Sequence, residues 1–301
     1  MSITRRAILG AMAAPRVTAA LPLRLAVCNE TFQGMGLPAA CDAARRTGYT
    51  GIEIAPFTLG DDPAAIPAAQ RREIRALIVE KGLTYVGLHA ILTAPRQLHV
   101  TTPDRTVRER SWDYVRRLID LCADLGPNGI VVFGSGKQRS ATAGSSVADA
   151  TKRFEDGLSS MAPAAAQRGV MILVEALAPH LSNVVTSFEQ AVAIVRRIGN
   201  PSVWTMFDTH NAVAEATPHA ELIRRYHPYI RHVHVNEMDG RYPGAGDYDF
   251  KPVLGALAER LYQGWLSVEV FDFRPDGVTI ARSAARYLRS RALSVARTYG
   301  P

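Results

Sequence analysis

Cysteine is scarce in this chain. Only Cys28, Cys41 and Cys122 occur, an odd number with no Cys-x-x-Cys pair, which argues against a disulfide framework or a thiolate zinc site and leaves packed thiols. Apolar runs long enough to span a bilayer are also missing, although 47% of the residues are hydrophobic. No low-complexity segment or linker interrupts the 301 residues, so one large domain is expected. Acidic residues fall short of basic ones, 28 against 35, for a net charge of +7. Part of that excess sits in Arg pairs on helical stretches (Arg45-Arg46, Arg71-Arg72, Arg116-Arg117, Arg196-Arg197, Arg224-Arg225), a pattern of solvated helix faces rather than of a nucleic-acid groove.

The first twenty residues stand apart. Thr4-Arg5-Arg6-Ala7-Ile8-Leu9, a short apolar segment to Pro15 and the small residues Thr18-Ala19-Ala20 resemble a twin-arginine export signal, interrupted by Arg16. Residues 1–20 are therefore read as an export signal or a disordered arm. The first reading implies a periplasmic location, the second a cytoplasmic one.

From Leu23 onward, short β-prone runs alternate with longer amphipathic segments. Strands are predicted over 23–27, 51–54, 85–88, 129–133, 170–174, 203–207, 230–235 and 266–270. Helices are predicted over 38–47, 67–81, 103–125, 146–168, 187–198, 219–226, 250–260 and 278–296. Eight βα units are the count that closes a parallel barrel, so residues 21–301 are predicted to form one (β/α)8 TIM barrel of the α/β class. Thr47-Gly48, Lys81-Gly82, Leu125-Gly126 and Arg168-Gly169 mark helix ends where glycine can take the left-handed cap. Long polar connections at 90–103, 134–145 and 236–249 follow strands three, four and seven, and mark the carboxyl ends of the strands as the functional face.

Polar residues collect at those ends: Asn29 and Glu30 after strand one, Glu53 in strand two, His89 after strand three, and Lys137 with Arg139 beyond strand four. Glu175 follows strand five, Asp208 and His210 end strand six, His232 and His234 lie in strand seven, and Glu269 lies in strand eight. The two-residue period of a strand would turn Asp208 and His210 to one side. Glu175 and Glu269 sit in apolar surroundings, and a buried carboxylate requires a cation, a hydrogen-bond network or a proton. One divalent ion, bound by three carboxylates and a His from the last four strands, meets that requirement for all of them. Oxygen-rich ligation with a single imidazole suits Mn2+ first, with Co2+, Mg2+ or Zn2+ as alternatives.

With these residues the chain resembles the xylose isomerase-like barrels, and within them the sugar isomerases and epimerases of the D-tagatose 3-epimerase and hydroxypyruvate isomerase groups. That family takes its metal from Glu, Asp, His and Glu on the last four strands. The matching residues are Glu175, Asp208, His234 and Glu269, spaced by 33, 26 and 35 residues. His232-Val233-His234, Asn236-Glu237 and Pro243-Gly244-Ala245-Gly246 look like the family's strand-seven motif and Gly-rich loop, in which an Arg before the Pro-Gly touches substrate; Arg241 is the match. Gly51-Ile52-Glu53-Ile54 resembles the second strand, whose Glu faces the site. Two positions depart. Asn211 stands where the epimerases carry a substrate-contacting His, and Leu181 stands where they carry a second Glu. These departures point to a different substrate.

The resemblance implies a divalent-metal-dependent isomerase or epimerase of a sugar or sugar derivative, with Glu175 and Glu269 passing a proton through an enediolate. His89, His210 and Glu53 would contact the substrate, while Lys137, Arg139 and Arg241 could hold an anionic group at its far end. A metal-dependent lyase or dehydratase of the keto-sugar or inosose type is the alternative. An AP endonuclease-like phosphodiesterase is a remote one, and a non-catalytic sugar-binding barrel predicts a missing ligand. The expected partners are a small carbohydrate and, in a homo-oligomer, copies of the chain; neither nucleic acid nor a membrane is expected.

Overall fold

Eight short strands carry the architecture, and each is followed by at least one helix. The computed structural model describes residues 23–299, and residues 1–20, read above as an export signal or a disordered arm, lie outside the described residues. The strands are β1 (Arg24–Cys28), β2 (Gly51–Ile54), β3 (Thr84–Leu88), β4 (Ile130–Phe133), β5 (Met171–Val174), β6 (Val203–Asp208), β7 (Ile230–Val235) and β8 (Trp265–Val268). They pair in parallel in chain order, and β8 closes on β1 to make a single (β/α)8 barrel. Around them run α1 (Leu37–Thr47), α2 (Ala68–Glu80), α3 (Arg105–Leu125), α4 (Gly136–Arg139), α5 (Val147–Arg168), α6 (Phe188–Ile198), α7 (His219–Tyr226), α8 (Lys251–Glu259) and α9 (Gly277–Tyr299). Among the described residues no helix is long and apolar enough to cross a membrane.

Local chemistry explains the boundaries. Asp104, Ser146 and Ser187 cap the starts of α3, α5 and α6, each side chain accepting a backbone N–H three residues on. Gly48 and Gly169 close α1 and α5 in the left-handed conformation. Gly126 does not: its φ of 177° is extended backbone. The four-residue α4 is too short to announce itself by periodicity.

Strand alternation divides the interior in two. Leu25, Val27, Ile52, Ile54, Ile172 and Val174 join the large core between strands and helices, whereas Ala26, Val86, Ile130, Val132, Leu173 and Met206 form a separate cluster. That second cluster fills the barrel lumen. Continuing its period of two toward the carboxyl ends brings Glu53, Glu175, Asp208, His234 and Glu269 into the same interior. All three cysteines are free and buried.

Packing between β3 and β4 is tight at Gly87, where an added Cβ would collide with the carbonyl oxygen of Ile130 on the neighbouring strand. Gly87→Ala is therefore expected to cost about 1–3 kcal/mol of stability by overpacking. A lower urea midpoint at unchanged m value would show it, and an unchanged midpoint would mean that β3 and β4 can part without penalty.

Candidate metal centre

Glu175, Asp208, His234 and Glu269 come from four successive strand ends and converge, with one ligand atom of each lying within 4.8 Å of the others. Register explains part of this, because Asp208 pairs with His234 across β6 and β7, and His234 with Ser267 across β7 and β8. All four are buried, Glu269 being the most accessible at 9%. β8 stops at Val268, so Glu269 stands one residue beyond the strand. His234 Nδ1 lies 3.0 Å from Glu269 Oε2 and 3.6 Å from Asp208 Oδ2. Nε2 on the other edge of the ring lies 3.1 Å from Glu53 Oε1. With Nε2–H donating to Glu53, Nδ1 is the nitrogen that faces the carboxylates.

Glu53 sits behind the site. It is fully buried, its second oxygen accepts from His232 Nε2 at 2.8 Å, and His89 Nδ1 is 3.5 Å from Oε1. Burial opposes its ionisation, but His234 and His232 outweigh that and hold its carboxyl well below the usual range. His234 is raised well above the ordinary imidazole value: burial works against its charge, and Glu53 and Glu269 override it. Glu175 is pushed up to about 8 by burial, with Asp208 and Glu269 adding repulsion. Burial also raises Glu269. Three carboxylates therefore share a buried space with one imidazole, and the described residues provide no direct Lys or Arg ion pair to any of them.

This donor set fits a divalent cation. Three carboxylates and one nitrogen make the oxygen-rich set such an ion takes, its two positive charges would offset most of their mutual repulsion, and Gly134 leaves the room that Glu175 Oε2 occupies, since a Cβ there would collide with it. Neighbouring groups fix these candidate ligands. Asn211 donates through Nδ2 to Glu175 Oε1 at 2.9 Å and through its backbone N–H to Asp208 Oδ1 at 2.7 Å. Asn236 Nδ2 lies 3.4 Å from Asp208 Oδ2, and its Oδ1 accepts from Thr209 Oγ1 and the His210 backbone.

The other residues singled out in the sequence spread around this centre. His89 is buried with Nε2 2.7 Å from Glu30 Oε1; burial would lower its pKa, but Glu30 and then Glu53 lift it to about 9. His210 does not share a side with Asp208, because β6 ends at Asp208 and the chain turns. Its Nδ1–H donates to the Met238 carbonyl at 2.8 Å, and its ring packs 4.9 Å from the Phe271 ring and 6.1 Å from that of His180. Arg241 is partly exposed and donates to Asp239 at 2.7 Å, and Lys137 is exposed on α4. Arg139 departs from its expected place as an anion-holding loop cation. It is 0% exposed, and its guanidinium donates to the carbonyls of Phe133 at 2.8 Å and Val185 at 3.3 Å, tying the β4 and β5 loops together. Burial lowers its pKa to about 10. Glu30, Asn211 and Asn236 were visible as polar residues at strand ends. Only the contacts show which side chain each one holds.

Residues 41–291 match the family described as xylose isomerase-like TIM barrel. The chain belongs to that family. Among relatives of this xylose isomerase-like barrel, the L-ribulose 3-epimerase of Methylomonas sp. is 24% identical over 248 residues, 81% of this chain and 82% of that protein. An inosose dehydratase of Clostridium tetani is 25% identical over 165 residues, 47% of this chain and 54% of that protein. A solved structure of L-ribulose 3-epimerase superposes with a TM-score of 0.80 at 20% identity, covering 92% of this chain and 96% of that one, a likeness of fold.

Proposed function

We propose that this barrel is a divalent-metal-dependent isomerase or epimerase acting on a sugar or sugar derivative. The observation that carries the reading is the buried quartet Glu175, Asp208, His234 and Glu269 at the carboxyl ends of β5 to β8, three carboxylates with no direct Lys or Arg ion pair among the described residues, the buried Arg139 acting on Glu175 only through its longer-range charge. These four would hold the ion, His234 through Nδ1. When bound, the ion would supply Lewis-acid polarisation of an α-hydroxy carbonyl, with Mn2+ favoured by the donor set.

Glu175 and Glu269 rise from strands three places apart around the ring, so they address a substrate from different sides. One takes the carbon-bound proton and the other returns it. Return to the opposite face of one carbon is epimerisation, and return to its neighbour is isomerisation. Glu53 keeps the His234 ring oriented, His210 packs on Phe271 just beyond the ends of β6 and β8, and Arg241 and Lys137 are accessible cations in the segments after β7 and β4. The similarity to an L-ribulose 3-epimerase supports a ketose-like substrate. The similarity to an inosose dehydratase keeps β-elimination as the second reading.

Metal analysis of the purified chain should find about one divalent ion per molecule. Incubation with a panel of ketoses in D2O should place deuterium on carbon. Loss of water from a keto-sugar without exchange would replace the isomerase by the dehydratase, and a metal-free, fully active protein would overturn the scheme.

A further inference from the structure

A second group of metal-ligating side chains shares Glu269 with the quartet. Ala26 belongs to the lumen cluster, and the period of two turns Cys28, at the end of β1, to the same side. Its thiol is fully buried, with Sγ 3.7 Å from Ser267 Oγ. Closure of β8 on β1 puts it beside Glu269, the short turn after β1 adds Glu30, and His89 follows β3 directly. One ligand atom each from Cys28, Glu30, His89 and Glu269 lies within 4.8 Å of the others.

Two buried atoms of this group have no hydrogen-bond partner among the described residues. One is Glu30 Oε2, whose sister oxygen is 2.7 Å from His89 Nε2; the other is His89 Nδ1, 3.5 Å from Glu53 Oε1. A buried acceptor without a donor is unfavourable, and a cation held by Glu30 would remove the deficit. With Nε2 on that cation, the imidazole keeps its proton on Nδ1, the edge that faces Glu53.

We propose that Cys28, Glu30, His89 and Glu269 form a second divalent-cation site, joined to the quartet through Glu269, that takes a thiophilic ion of the Zn2+ class. One thiolate, one imidazole and two carboxylates are a zinc-type set, whereas the quartet, which has no sulfur, suits Mn2+. Glu269 has two oxygens and can serve both ions. As the metal–sulfur and metal–nitrogen bonds form, Cys28 releases its thiol proton, and His89 the proton on Nε2, to the buffer. Burial opposes the thiolate, which makes this the weaker site. The purified chain then carries about one ion, and the second enters when a thiophilic metal is supplied.

The test titrates the full chain with Co2+, which enters oxygen-rich and thiolate sites alike and reports a sulfur ligand by a near-ultraviolet thiolate-to-cobalt charge-transfer band. Wild type is expected to take up about two ions per chain, the band rising with the second alone. Cys28→Ser and Cys28→Ala should lose the band and one ion, and Asp208→Asn should lose the other ion and keep the band. Glu30→Gln leaves the thiol in place and should raise the Co2+ concentration that half-develops the band by about tenfold or more. Thermal melting shows which variants fold.

Two ions without the band, or a band that Glu30→Gln leaves unmoved, overturns the proposal. A wild type that saturates at one ion without the band removes the second site and leaves the quartet. One ion with the band, lost in Cys28→Ser and untouched in Asp208→Asn, keeps the second site and removes the quartet as a metal centre. A chain that binds no Co2+ removes both.

Discussion

Glu269→Gln is expected to lower turnover of a ketose by about a thousandfold or more, because proton transfer by a positioned carboxylate contributes effects of that size. Glutamine preserves the volume and one carbonyl oxygen at the end of β8, so the neighbour of His234 Nδ1 at 3.0 Å can still be an oxygen. What is lost is the capacity to take up and return a proton. Metal analysis should still find about one ion per chain at saturating metal, and far-UV circular dichroism should be unchanged, so the loss falls on kcat. A variant with full metal and near-normal turnover would take Glu269 out of the proton path and leave Glu175 to act with another group.

Glu53→Gln tests a different claim, since Glu53 was expected to face the substrate. Both its oxygens are occupied by imidazole N–H groups, from His232 at 2.8 Å and His234 at 3.1 Å. A glutamine offers one acceptor and one NH2 group, so one of the two rings would meet a donor where it needs an acceptor. His234 then loses its fixed orientation toward the ion. The expected result is a loss of about 10–100-fold in metal affinity. Restoring saturation with excess metal should recover the KM for sugar. A raised KM at saturating metal, with metal affinity intact, would instead mean that Glu53 touches the substrate.

Much of the barrel is legible in one dimension. Seven strands are all β-prone runs of four to six residues whose observed bounds lie within one residue of those predicted, and β8 differs by two at its end because the chain leaves the sheet at Val268. Polar residues that interrupt such runs at their carboxyl ends stand out for a physical reason: a strand lining a lumen has little other use for a buried carboxylate. Glu175, Asp208, His234 and Glu269 could be named on that basis. His210 could not be placed, because the period of two holds only while the strand continues, and β6 stops at Asp208. Arg139 reads as an exposed loop cation until α4 turns it inward onto two carbonyls. Asn211 reads as a replaced histidine. Its hold on Glu175 depends on the rotamer and on the loop after β6.

By itself the sequence determined the order of eight βα units, the alternation that sends one face of each strand to the helices and the other to the lumen, and the chemical types that collect at the strand ends. Those properties are local, set by side-chain period and by the solvation cost of burying charge. The tertiary structure alone decided which atoms meet. Glu53 on β2 and His234 on β7 lie 181 residues apart and 3.1 Å from each other. Closure of the ring, with its tilt and stagger, brings inward positions together across the lumen, and no spacing along the chain reports that contact.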